Sequence, residues 1–190
     1  MVCCQVMITL IWVLYLSLLL VLCIYLVYLI YRLWPVVRYA KQPLPFIPIP
    51  AYIAKAIAQL PELAGKQRIV DLGCGRGHLL LAIRKYHPTA ELFGVEYNQK
   101  LIRNMNRVQI TQGDMFTYDI SHVDAIVGWW VPKFCERLMK KFVAECQPGC
   151  VIVSYMFPLP SHPALFERVI KMKREVIYVY IVKPSVAQTT

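Results

Sequence analysis

An α/β fold with a doubly wound, mostly parallel sheet, carried behind one N-terminal transmembrane helix, is what this 190-residue sequence predicts. Three observations predict it. Short β-rich segments alternate with amphipathic helical segments from about residue 60 onward. A glycine-rich turn, DLGCGRG (71–77), joins the first of these strands to the helix after it. Residues 1–31 contain no Lys, Arg, Asp or Glu, so all 21 basic and 11 acidic residues lie beyond them and carry the whole net charge of +10. With 58% hydrophobic and 17% charged residues, this uneven spread excludes a disordered chain, a polytopic membrane protein and a compact soluble globule of full length. It leaves an anchor (1–34), a proline-rich juxtamembrane linker (35–50) and one domain (51–190), long enough for a single core.

From Val6 to Tyr31 the chain runs 26 residues without a charge, roughly 39 Å as a helix against a hydrocarbon core of about 30 Å. Tyr25, Tyr28, Tyr31 and Trp34 cluster at its downstream end, where amphipathic rings favour the headgroup layer. A cleaved signal peptide is the competing reading; the missing basic leader, the length and the absence of a small-residue cleavage site argue against it. Downstream, Arg32, Arg38, Lys41 and Lys55 precede the first acid, Glu62, so the positive-inside rule places the N-terminus outside and the domain on the cytoplasmic or matrix side. With the domain on that reducing side, the seven cysteines, an odd number with no C-x-x-C pair, read as free thiols. Cys3 and Cys4, beside the helix start, are in principle open to acylation.

Prolines at 35, 43, 45, 48 and 50 make the linker an extended, semi-rigid spacer. AYIAKAIAQL (51–60) has Ile53, Ile57 and Leu60 on one helical face. RIVDLG (68–73) is a buried strand, HLLLAIRKY (78–86) a helix ended by Pro88, and ELFGVE (91–96) a second strand. QKLIRNMNR (99–107) is expected as a helix, VQITQGD (108–114) as the third strand and VDAIVGW (123–129) as the fourth. PKFCERLMKKFVAEC (132–146) forms a long amphipathic helix, CVIVSYMF (150–157) the fifth strand, and EVIYVYIVK (175–183) a last, antiparallel one.

Glycines at 73, 75 and 77 let the backbone turn sharply and approach a ligand without a Cβ in the way. The spacing is D-x-G-x-G-x-G, not the G-x-G-x-x-G that seats a pyrophosphate. A carboxylate at Asp71 suits a ligand bearing a cationic amine and a sulfonium better than one with two phosphates. Glu96 ends the second strand, where a carboxylate can accept both hydroxyls of a ribose. Asp114 ends the third, placed to accept from an adenine amino group. Each acid alone could brace a loop; together, at successive strand ends beside the glycines, they point to one ligand.

Val70-Asp71-Leu72-Gly73-Cys74-Gly75-Arg76-Gly77, Gly94-Val95-Glu96-Tyr97-Asn98 and Gly113-Asp114-Met115-Phe116 resemble the class I S-adenosylmethionine-dependent methyltransferases over about residues 60–160. Pro45-Phe46-Ile47-Pro48 before the glycine turn, Gly128-Trp129-Trp130-Val131-Pro132 after the fourth strand and Phe157-Pro158-Leu159-Pro160 after the fifth sharpen the likeness. The combination resembles the membrane-anchored protein-lysine methyltransferases of the ATP synthase c subunit and the adenine nucleotide translocase. The resemblance implies a minimal Rossmann-like sheet and S-adenosyl-L-methionine as cofactor. It implies Asp71, Gly73, Cys74, Gly75, Gly77, Glu96, Asp114 and Met115 as the residues that hold the cofactor. The acceptor it implies is a lysine of a membrane protein.

Methyl transfer is an in-line displacement that needs alignment, exclusion of water and a neutral amine, not a nucleophile triad or a metal. Trp129 and Trp130 are expected to line the acceptor opening, where aromatic faces attract a methylammonium; alternatively one is core and the other an interfacial anchor. No Asn/Asp-Pro-Pro-Tyr tetrapeptide follows the fourth strand, which argues against adenine-base or glutamine-amide acceptors. His78, His87, His122 and His162 are scattered, so no metal site is expected, and no aromatic–basic stripe points to nucleic acid. Two other readings share the cofactor residues: a methyltransferase of a lipid or quinone headgroup, and a non-catalytic, membrane-tethered cofactor-binding module. Oligomeric state leaves no mark in the sequence.

Overall fold

The computed structural model describes residues 2–40 and 47–184, and the chain divides into two units, 1–46 and 47–190. The first is one helix, α1 (Val2–Ala40). Its stretch Leu10–Ile30, with mean hydropathy 2.8 and no part buried, is long and apolar enough to cross a membrane. The helix continues through Pro35 to Ala40, six residues past the expected end of the anchor. Proline removes one rung of the backbone ladder but leaves the residues after it able to go on. The linker's middle, 41–46, lies outside the described residues, as do the side chains of Cys3, Cys4, Arg32, Trp34, Arg38 and Lys41.

The second unit is a seven-stranded sheet flanked by three helices. In chain order these are α2 (Ala51–Ala58), β1 (Arg68–Leu72), α3 (His78–Tyr86), β2 (Glu91–Glu96), β3 (Val108–Gln112), β4 (Ala125–Gly128), α4 (Pro132–Glu145), β5 (Val151–Tyr155), β6 (Leu165–Met172) and β7 (Glu175–Val182). The strand order is β3-β2-β1-β4-β5-β7-β6; β1 to β5 are parallel, and β7 pairs antiparallel with both neighbours. The reversal of direction from β1 outward opens a crevice at the carboxyl ends of β1 and β4, where open α/β sheets hold ligands.

Strand alternation sorts the core into two layers. Ile69, Val127, Val153 and Val179 face α2 and α3, which contribute Ile53, Ile57, Leu80 and Ile83. Val70, Leu72, Ile126, Ile152 and Tyr180 face α4, which contributes Leu138 and Phe142. Parallel strands covered on both faces need continuous apolar runs, and β4 and β5 supply them.

Two elements differ from expectation. No helix forms over 99–107. A single 3₁₀ turn, Gln99–Leu101, is capped by the Asn98 side chain, which accepts from the Lys100 N–H at 3.1 Å. Asn104 and Asn106 favour turns over helix interior, and Arg107 with φ of 62° swings the chain into β3. Conversely, β6 forms where charges at Glu167, Arg168 and Lys171 obscure the strand pattern. It is the sheet's edge, joined to β7 by a two-residue turn with Lys173 at φ of 51°, and charges on an edge strand discourage pairing between molecules.

Trp130 corrects another expectation. It is 2% exposed, donates its Nε1–H to the Leu72 carbonyl at 2.8 Å, and packs on Phe142 with ring centroids 5.4 Å apart. It is therefore a core side chain of the α4 layer, not a wall of an acceptor opening. Gly128 exists to admit it: a Cβ there would lie 2.5 Å from the indole ring. Gly128→Ala should lower stability by about 1–3 kcal/mol, read as a fall in the urea midpoint of the protein in detergent. An unchanged midpoint would show that the indole can shift at no cost.

Candidate active site

Between β1 and α3 the backbone turns left-handed three times, at Gly73 (φ 86°), Gly75 (φ 54°) and Gly77 (φ 71°), a region L side chains rarely adopt. The turn is docked on the end of β2: the N–H groups of Gly73 and Cys74 both donate to the Val95 carbonyl, at 2.8 and 3.1 Å. Cys74 turns its side chain inward. Its sulfur lies against Gly94, where an added Cβ would come within 2.6 Å of it. Burial first, then the nearby Asp71, push its thiol far above the usual range, so Cys74 is a packing residue and not a nucleophile. Gly73 faces the other way; a Cβ there would meet only the Met115 sulfur, 4.0 Å off. That open side is the cradle of the site.

Glu96 closes the turn from below. One carboxylate oxygen accepts the Gly75 N–H at 2.8 Å, the other the Asn98 N–H at 2.7 Å. The Glu96 carbonyl also accepts the Gly113 N–H at 3.0 Å, which ties the end of β3 to the same corner. Asp114 braces its own loop, its Oδ1 accepting the Phe116 N–H at 2.9 Å. Met115 and Phe116 half-bury against the α4 layer. The structure thus gathers Asp71, Gly73, Gly75, Glu96 and Met115 at one corner, with Asp114 one residue beyond it.

Asp71 is 4% exposed, and its carboxyl is pushed up to about 8, by burial first and by the charge of Glu96 second. A buried carboxyl beside another acid is poised for a cation. A ligand with an ammonium and a ribose diol fits this pair of acids, and Gly73 leaves room beside them, whereas the space a side chain at Gly77 would take is filled by Met105. Among the described residues, no three His, Cys, Asp or Glu side chains gather into a metal-binding group.

Trp129 follows β4 at the end of the sheet where β1 runs into Gly73: Asp71 pairs with Val127, and Leu72 and Gly128 are the last residues of their strands. It packs against the α2–α3 layer. The indole is half-buried, stands edge-on to the Tyr155 ring at 5.2 Å, and its Nε1–H is buried without a hydrogen-bond partner. Sequence reasoning missed what lies beside it: Tyr155, Tyr52 and Glu175. The β-alternation that puts Trp129 and Tyr155 on one face was the available signal; the Tyr52–Glu175 contact, 123 residues apart, left none.

Comparison with known proteins agrees with this geometry. The profile of the ANTKMT methyltransferase domain matches residues 71–165. A protein-lysine N-methyltransferase of Saccharolobus islandicus is 24% identical over 153 residues, covering 73% of this chain and 94% of that protein. A trans-aconitate 2-methyltransferase of Variovorax paradoxus is 28% identical over 118 residues, but the chain spans only 44% of its length. Among solved structures, an RNA methyltransferase from Salinibacter ruber in complex with S-adenosyl-L-homocysteine superimposes with a TM-score of 0.62 at 20% identity, covering 75% of this chain and 97% of that one. That likeness is one of fold.

The raised value at Asp71 has a definite sign in stability. Between about pH 4 and pH 8 the folded protein keeps a proton there that the unfolded chain has lost, so this group's contribution to stability falls as pH rises through that window. Asp71→Asn removes the charge at every pH. The melting temperature of the ligand-free variant, relative to the parent, should therefore climb from about pH 4 to about pH 8 and level off above it; a difference constant with pH would place the Asp71 carboxylate in contact with water.

Proposed function

This chain belongs to the ANTKMT methyltransferase-domain family and is an S-adenosylmethionine-dependent methyltransferase, and from that premise we propose that it methylates a lysine of a membrane-associated protein. The observation that carries the proposal is the pairing of this domain with α1, whose segment Leu10–Ile30 is long and apolar enough to cross a bilayer and has no part buried. In this reading α1 spans the membrane once. Arg32, Arg38, Lys41 and Lys55 hold the following domain on the cytoplasmic or matrix face. The protein substrate is supported by the similarity to the archaeal protein-lysine methyltransferase.

Each residue at the corner takes one part of the cofactor. S-adenosylmethionine supplies a methyl carbon activated by its sulfonium. Asp71 receives the cationic amine, Gly73, Cys74, Gly75 and Gly77 offer backbone close to it, and Glu96 accepts the ribose hydroxyls with the lone pairs its two backbone donors leave. Asp114 and Met115 flank the adenine. Trp129, directly after β4 at the carboxyl end of the sheet, borders the place where the acceptor amine arrives. The chain's part in the reaction is alignment and exclusion of water, and burial around Asp71 and Trp129 provides both.

Two measurements test this. Glu96→Gln should weaken binding of S-adenosylhomocysteine about tenfold or more, since each hydrogen bond to a charged acceptor contributes about 1.5–3 kcal/mol; unchanged calorimetric affinity would leave Glu96 as a loop brace only. In the second, native membranes are incubated with the full-length protein and radiolabelled S-adenosylmethionine, and protein is then separated from lipid. Methyl-lysine in the protein hydrolysate is the expected result, and label in the lipid extract would overturn the lysine reading.

A further inference from the structure

At the carboxyl ends of β4 and β5, two phenols from separate regions of the chain converge on one carboxylate, and an indole packs on one of them. Glu175, at the start of β7, accepts the Tyr155 hydroxyl at 2.5 Å on one oxygen and the Tyr52 hydroxyl at 3.1 Å on the other. Tyr155, from the end of β5, is 3% exposed and meets Trp129 edge-on. Tyr52, from the first turn of α2, is 56% exposed. The cluster is therefore walled by Trp129 and Tyr155, floored by a carboxylate and open to solvent on the Tyr52 side. Both phenols have values raised above the ordinary one, Tyr155 mainly by burial and Tyr52 mainly by its bond to Glu175, so both remain donors and fix the carboxylate's orientation.

The cofactor corner does not use these groups, and the Tyr52 hydroxyl and the Glu175 carboxylate lie outside the buried core. The half-buried carboxylate at the turn of an edge hairpin keeps acceptor capacity beyond its two phenol bonds, and a buried indole N–H in the same cluster has no partner. The chemistry that completes it is an alkylammonium: its N–H groups donate to a carboxylate, and its carbon chain and charge lie against aromatic faces. The unpartnered indole N–H matches a carbonyl of the main chain that bears it. The register places Trp129 and Tyr155 at the carboxyl ends of β4 and β5, the end of the sheet at which β1 enters the glycine turn.

We propose that Trp129, Tyr155, Tyr52 and Glu175 form the acceptor-recognition site, with Glu175 as the residue that selects an amine-bearing side chain. This rests on the reading of lysine as acceptor. Glu175 holds the nitrogen through N–H···O bonds in its charged and neutral forms alike, so it serves arriving lysine and partly methylated lysine between rounds. When the neutral nitrogen's lone pair forms the N–C bond, the C–S pair returns to sulfur, and the proton shed by the methylated nitrogen passes to solvent.

The test uses full-length Glu175→Gln and the milder, surface-exposed Tyr52→Phe, assayed on native membranes and on a lysine-bearing peptide taken from whichever protein is labelled. Glu175→Gln should raise the acceptor KM about tenfold or more, and Tyr52→Phe should raise it by less. S-adenosylhomocysteine affinity should stay within about twofold in both, which also shows that the fold survives. Methyl-lysine product with acceptor KM unchanged in Glu175→Gln would overturn this site and leave the lysine reading standing. Equal losses of cofactor and acceptor affinity would also overturn it, making the cluster a brace of the fold. Label on lipid would overturn the lysine reading, and this site with it.

Discussion

One carboxylate organises the working end of this molecule. Glu96 accepts the Gly75 N–H on one oxygen and the Asn98 N–H on the other, while its main-chain carbonyl takes the Gly113 N–H. Three separate segments, the glycine turn, the exit from β2 and the exit from β3, are thereby fixed to a single residue. Left-handed glycines have the most conformational freedom to lose on folding. A turn with three of them needs such a partner to stay in one shape before any ligand arrives. Preorganisation of this kind is what an alignment-driven reaction asks of its protein.

The same corner explains why an uncomfortable residue is kept. Asp71 sits in the sheet, buried, with Glu96 near enough to disfavour its charge. A structural role would be served as well by an amide. A carboxyl made costly by its surroundings gains most when a cation binds, so the energy stored in burial becomes discrimination in favour of a cationic ligand. Cys74 shows the contrasting use of burial: its thiol is driven far from reactivity and simply fills the space that Gly94 leaves.

Much of this was legible in the sequence because it is local. The glycine turn, the acids at three successive strand ends and the apolar N-terminal helix each occupy one continuous stretch, and their physical reasons do not depend on distant contacts. What was not legible is non-local or weakly patterned. The stretch 99–107 has helix-forming residues at its start, yet Asn104, Asn106 and the left-handed Arg107 turn it instead. Strand β6 is written in charges because it is an edge, and its partner β7 supplies the regularity. Trp129 and Trp130 look equivalent in sequence, but consecutive residues leaving a strand point to opposite faces. Trp130 donates to Leu72 and fills the α4 layer, whereas Trp129 meets Tyr155 against the α2–α3 layer. The link from Tyr52 to Glu175 joins residues at opposite ends of the domain, and only the folded sheet brings them together.

The account turns on direction: a cofactor held at the glycine corner must present its sulfur to the Trp129 side, or the cluster beyond it has no part in the reaction. A structure of the full-length protein with S-adenosylhomocysteine measures this directly. The prediction is a ribose diol on Glu96, an amine on Asp71 and a sulfur facing the gap between Gly73 and Trp129. A cofactor bound with its sulfur turned toward α4 and the buried Trp130, or with the ribose away from Glu96, would contradict it.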